Sequence, residues 1–235
     1  MKKHFLVLAL LVSIVSAVFV FLTLKLRYLP VLASTQGRTI DHLILVLFSI
    51  ASVIMAVCLV TLVYSVVAFR RRRGDMEDGP SWSEHTAAET LWTLIPLAIV
   101  IYLSVYGGVS LKRMIRAPDT GEMEVRVLSQ QFSWRFEYPE QKITTSELGL
   151  VVNRPVVFKL TSKDVIHSFW VPEFRTKEDA VPGMETMLRV TPVRVGSYKL
   201  LCAELCGIAH SYMVAPVRVM SREEFDKWVE QQRSR

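Results

Sequence analysis

The segment Cys202-Ala-Glu-Leu-Cys206-Gly-Ile-Ala-His210-Ser-Tyr-Met213 places two thiols, an imidazole and a thioether within twelve residues. Hard cations select oxygen ligands, so calcium and magnesium do not suit this set. Zinc accepts thiolate and imidazole but gains nothing from a thioether. Copper is the first-row metal for which cysteine, histidine and methionine all serve. One cysteine with two histidines and a weak methionine would build a mononuclear centre. Here two thiolates are present, each with spare lone pairs to bridge a second ion. A pair of coppers then needs another imidazole from elsewhere in the chain.

His167 is the candidate, in Asp164-Val-Ile-His167-Ser-Phe-Trp-Val-Pro172 at the end of a strand-like run. The other three histidines, His4, His42 and His85, lie on or beside apolar stretches far from it in sequence. Each feature alone has an ordinary reading: a Cys202–Cys206 disulfide, a hydrogen-bonded histidine, a methionine in a core. The metal reading rests on all of them falling together in ligand types of matching softness.

These residues need a scaffold, and the chain supplies two parts. Over half of it is hydrophobic (51%), and the excess lies in the first half. Residues 5–24, 43–69 and 91–111 carry no charge and are long enough to span a bilayer. The spacing predicts membrane helices over about 5–24, 43–69 and 86–112. Pro96 falls near the start of the third, where a membrane helix tolerates proline. The net charge of +6 is concentrated in the Arg70, Arg71, Arg72 and Arg73 block directly after the second run. That is a positive-inside signal, not a nucleic-acid surface. It puts the second span running inward, the third outward, and everything after Arg113 outside the cytoplasm. Val31-Leu32-Ala33 before Ser34 has the small-residue character of a signal-peptide cleavage site. The first apolar run is longer than a signal core and is followed by Lys25 and Arg27, which favours a retained helix.

From about residue 117 apolar and polar residues alternate, over 122–128, 132–138, 156–161, 186–191, 197–202 and 213–219. Pro155, Pro182-Gly183 and Gly196 punctuate them as turns. The pattern predicts an all-β sandwich or small barrel of about 100 residues. Ser221 with Glu224 forms a capping box before Phe225, Trp228 and Val229, so a short amphipathic helix follows. The expected division is a membrane anchor over 1–116, a β-domain over 117–220 and a helix over 221–235.

The cysteine segment resembles the dinuclear copper (CuA) motif of cytochrome c oxidase subunit II, Cys-x-Glu-x-Cys-x3-His-x2-Met with an upstream His-Ser-aromatic. From about His42 onward the chain is similar to that family: a membrane hairpin, then a cupredoxin-like Greek-key domain. The resemblance implies that Cys202 and Cys206 bridge two coppers. His167 and Met213 would complete one copper, and His210 with the backbone carbonyl of Glu204 the other. The Glu204 side chain would reach a magnesium ion shared with the catalytic subunit. Glu89-Thr-Leu-Trp92-Thr-Leu-Ile-Pro96 resembles the family's Glu-Thr-x-Trp-Thr-x-x-Pro pattern, which makes Glu89 a candidate for proton uptake. Gln131-Phe-Ser-Trp134-Arg-Phe-Glu-Tyr138 resembles the aromatic segment where electrons arrive. Here Phe132 stands where many members carry tryptophan, so Trp134 and Phe132 are the candidates for receiving them.

The implied function is electron acceptance from a cytochrome c-type donor and delivery to haem in a haem-copper subunit I, where O2 becomes water. No reaction is expected on this chain alone. The implied place is a bacterial plasma membrane, with the copper domain on the periplasmic face. A nitric-oxide reductase-type copper subunit is the alternative, disfavoured by the hairpin with Glu89 and Trp92. A quinol oxidase subunit would lack the copper ligands, and a copper-delivery protein would hold an open mononuclear site.

Overall fold

The computed structural model describes every residue except Met1, Arg27, Arg72, Glu77, 80–83, 116–120 and Arg235. Arg72 of the arginine block and the expected boundary at 116/117 therefore lie outside the described residues. The chain divides into two compact units, Met1–Arg27 with His42–Val109, and Tyr28–Asp41 with Ser110–Arg235.

The first unit is helical. Helices α1 (Lys2–Lys25), α2 (Thr35–Ala68) and α3 (Thr86–Ile115) are each long and apolar enough to cross a membrane. A helix satisfies its own backbone hydrogen bonds, which lipid cannot do for it. His4 Nδ1 and the Tyr64 hydroxyl lie 2.7 Å apart between α1 and α2, and the Thr23 and Ser52 hydroxyls 3.0 Å apart. Between α2 and α3, His42 Nδ1 meets the Tyr106 hydroxyl at 2.6 Å. Helix α2 starts eight residues before its apolar run, because the Ser34 hydroxyl accepts from the Gly37 N–H at 2.9 Å and caps it.

The second unit is a sandwich of two five-stranded sheets. One contains β1 (Met123–Gln130), β2 (Ser133–Tyr138), β3 (Ile143–Thr145), β5 (Val156–Ser162) and β8 (Thr186–Val190), in the order β3-β2-β1-β5-β8. The other contains β4 (Leu148–Val151), β6 (His167–Trp170), β7 (Lys177–Ala180), β9 (Gly196–Cys202) and β10 (Val214–Met220), in the order β4-β10-β9-β6-β7. Alternation along β1 buries Met123, Val125 and Val127, and along β2 Trp134, Phe136 and Tyr138. Phe158 of the first sheet meets Phe169 of the second with ring centroids 4.8 Å apart, so the core lies between the sheets.

Helix α4 (Arg222–Arg233) closes one end, with Ser221 and Glu224 in the expected reciprocal capping box. Its Trp228 packs edge-on to Tyr138, whose hydroxyl accepts from the Gly149 N–H and donates to the Gly149 carbonyl. A Cβ at Gly149 would stand 2.7 Å from the Trp228 ring, so the close approach requires glycine there. Tyr28–Asp41, which includes the first turns of α2, belongs to this unit. The Ala33 N–H donates to the Glu173 carbonyl, and the Ala33 carbonyl accepts from Val193 N–H, both at 2.9 Å. Arg175 Nε donates to Asp41 Oδ1 at 2.7 Å, and the same guanidinium reaches the carbonyls of Pro172 and Pro30. Ala33 and Ser34, read from sequence as flanking a cleavage site, are fully buried here.

Candidate metal centre

The two cysteines sit where β9 hands over to β10. Cys202 is the last residue of β9, and Met213 directly precedes β10. The two strands pair antiparallel with Leu201 opposite Val214, and the Cys202 N–H donates to the Met213 carbonyl at 3.2 Å. The intervening segment therefore closes as a loop and returns Met213 to Cys202. His210 opens a single 3-10 turn inside it. His167 comes from the neighbouring strand: β6 pairs β9 with Phe169 opposite Cys202.

The side chains converge. Cys202 Sγ lies 3.8 Å from Cys206 Sγ and 3.8 Å from His167 Nδ1. Cys206 Sγ lies 3.6 Å from His210 Nδ1 and 3.8 Å from Met213 Sδ. The Glu204 carbonyl is 3.2 Å from Cys202 Sγ. His167 and Met213 are fully buried, and both cysteines are buried. The thiols are free, and their separation far exceeds a disulfide bond of about 2.05 Å. Metal–thiolate bonds of about 2.3 Å let one ion touch two sulfurs at this spacing. The donor set is soft and pre-gathered, and His167, Cys202 and Cys206, all buried, are close enough together to hold a metal ion. It fits copper.

Burial pushes the Cys206 thiol up to about 11, and the neighbouring Cys202 thiol adds to the effect. Without metal the Cys206 sulfur therefore carries a proton that an incoming ion must displace. His167 Nε2 lies 2.9 Å from Asp164 Oδ1. A proton on Nε2 shared with that carboxylate leaves the Nδ1 lone pair facing the sulfurs. Desolvation alone would raise Asp164, but the Gln131 N–H, the His167 ring and the Val165 N–H hold its carboxyl well below the usual range.

The other expected residues fall in different places. The Glu204 side chain is half-exposed and faces Lys177 Nζ at 3.5 Å. Glu89 occupies the first turn of α3 and accepts from the His85 N–H at 2.9 Å. Phe132 is half-buried at the β1–β2 turn. Trp134 is 3% exposed, so its ring lies inside the domain. It takes an inward position of β2, edge-on to His167 and Phe169 with both centroid distances 6.1 Å. Its Nε1 donates to the Met213 carbonyl at 3.4 Å, so it floors the centre from within. Sequence reasoning also missed Asp164 and Gln131. An acid three residues before His167 was a local hint for the first. Gln131 had none, since its partners lie 33 and 75 residues away.

Comparison with known proteins bears on these residues. The family described as cytochrome C oxidase subunit II, periplasmic domain, matches residues 143–220, and its transmembrane domain matches residues 23–109. Cytochrome c oxidase subunit 2 of Thermostichus vulcanus is 31% identical over 252 residues, covering 85% of this chain and 77% of that protein. The subunit 2 of a Synechocystis species is 30% identical over 247 residues, covering 86% and 74%. Among solved structures, the periplasmic domain of subunit II of cytochrome oxidase of Bradyrhizobium japonicum is 28% identical, with a TM-score of 0.47. It covers 52% of this chain and 98% of that one. With 31% identity across 77% of the Thermostichus protein and 30% across 74% of the Synechocystis one, the chain belongs to the cytochrome c oxidase subunit II family.

Proposed function

We propose that this chain is the electron-receiving subunit of a proton-pumping cytochrome c oxidase, with two coppers held between β6 and the β9–β10 loop. The convergence of Cys202, Cys206, His167, His210 and Met213 within 3.6–3.8 Å contacts supports this reading above all else. Cys202 and Cys206 would bridge the ions, His167 and Met213 would complete one, and His210 with the Glu204 carbonyl the other. The bound pair would take up and release one electron at a time. The chain's own part is to hold six donors rigidly where the ends of β6, β9 and β10 meet and to keep the two cysteines, His167 and Met213 out of water. Small movement of the ligands between oxidation states keeps transfer fast, and no open position invites a substrate.

The donor is a c-type cytochrome, and Phe132 at the half-buried turn, with Trp134 behind it against His167, is assigned to receive its electron. The acceptor is haem in a haem-copper subunit I, where O2 is reduced. Magnesium seeks six oxygens, of which the Glu204 carboxylate would supply one. That side chain would have to leave Lys177, and the partner would have to supply the other ligands. Glu89 is assigned to proton uptake at the inner end of α3. The arginines after α2 support a copper domain on the outer face of the membrane, which in this reading is the periplasmic face of a bacterial plasma membrane.

The test is metal analysis and paramagnetic resonance on the full chain loaded with copper. Two coppers per chain with a delocalised mixed-valence signal are expected. One copper, or a Cys202–Cys206 disulfide persisting in the native complex, overturns the reading.

A further inference from the structure

Gln131 stands in the turn between β1 and β2, on the sheet opposite the one that carries the metal ligands. Its backbone N–H donates to Asp164 Oδ2 at 2.7 Å. Its side-chain Nε2 donates to the Cys206 carbonyl at 2.5 Å. The other oxygen of Asp164 faces His167 Nε2 at 2.9 Å and accepts from the Val165 N–H at 2.7 Å. One residue thus touches the cysteine loop directly and the histidine loop through a single carboxylate.

The close approach is built into the backbone. Gly207, beside Cys206, has φ +140°, and a Cβ there would stand 2.8 Å from Gln131 Nε2 and 3.0 Å from the Phe132 ring. Glycine is what lets the turn lie flat on the cysteine loop. Cys206 needs such a tether. It lies between the strand ends, where no sheet ladder fixes it, whereas Cys202 and Met213 are held by β9 and β10. His167 is on a strand, but its ring could still turn about its side-chain bonds. The Asp164 contact sets which nitrogen faces the sulfurs.

Building on the copper reading above, we propose that Gln131 is a positioning residue of the metal centre, bracing its two ligand loops against each other. One arm runs to the Cys206 carbonyl, the other through Asp164 to His167. Gln131→Met keeps the side-chain length and the backbone arm but deletes the donor to Cys206. Asp164→Asn keeps the shape but leaves one acceptor oxygen where two are used. Groups behind metal ligands set affinity by holding them in place, and losing one costs about 10- to 100-fold. If both act through one brace, the second loss adds little once the first is made, so the double variant falls short of the product.

The experiment uses the full chain in detergent, with copper titrated against a chelating competitor. Affinity, the paramagnetic-resonance spectrum and the far-ultraviolet circular dichroism of the metal-free form are read for wild type, both single variants and the double. The expected result is about a 10- to 100-fold loss for each single variant, a less-than-multiplicative double, altered copper hyperfine structure and an unchanged metal-free fold. Wild-type binding of two coppers with unmoved variants, or with fully multiplicative losses, overturns the brace alone. Loss of fold in the metal-free single variants also overturns it, since the residues would then serve folding and not positioning. Failure of the wild-type chain to bind copper removes the copper reading, and the brace with it.

Discussion

Replacing Met213 by leucine separates ligand chemistry from packing more cleanly than any other change at the centre. The side chain is fully buried, with its sulfur 3.8 Å from Cys206 Sγ. Leucine has nearly the same volume and is equally apolar, and such swaps cost below about 1.5 kcal/mol. The backbone contacts of Met213, which donates to the His210 carbonyl and accepts from Cys202 N–H and Trp134 Nε1, do not involve the side chain. The fold should therefore survive, with a melting shift of about 2–4 °C per kcal/mol for a chain of this size. The electronic effect is read separately from packing. Removing a donor from a dry site disfavours the oxidised pair, which carries more charge, so the reduction potential should rise. A tenfold bias toward the reduced pair corresponds to about 59 mV for one electron. Spectroelectrochemical titration of the loaded chain reads that shift, and thermal melting of the metal-free chain reads the packing. An unmoved potential with two coppers still bound would show that the thioether is not a ligand. Global unfolding would show that its role is structural.

Arg175→Met removes a guanidinium whose side chain is 5% exposed and strands the carboxylate of Asp41. Breaking a buried pair on one side costs about 3–5 kcal/mol, and hydrogen exchange at the Ala33 and Thr35 amides should speed up first. Gly149→Ala drives a methyl to 2.7–2.9 Å from three carbons of Trp228. Denaturant melts should register about 1–3 kcal/mol of overpacking; an unaffected midpoint would mean that α4 yields freely. Stripping copper with a strong chelator should leave the near-ultraviolet circular dichroism of the β-sandwich intact. Its aromatic core, around Phe136, Phe158 and Phe169, is held by apolar packing between the two sheets. Collapse of that signal would contradict a preformed site.

Much of the architecture was legible because it obeys local rules. The three membrane helices follow from uncharged runs, the long strands β1, β2, β5, β9 and β10 from alternation, and α4 from its cap. The short strands β3, β4, β6 and β7 escaped notice. Three or four residues give too few alternations to separate a strand from a loop, and β4 is buried throughout. The packing of Tyr28–Asp41 onto the β-sandwich left no local signal because its partners Glu173, Arg175 and Val193 are over a hundred residues away.

The ligand chemistry of Cys202, Cys206, His210 and Met213 was present in the sequence because one strand connection carries all four, and softness is a property of the side chains themselves. Which imidazole joins them depended on β6 lying beside β9, a pairing that only the packed sandwich creates. The same packing turned Trp134 inward to floor the centre and brought Gln131 onto the cysteine loop. Residue type sets what a centre can bind, whereas long-range strand order sets which distant groups hold it in shape.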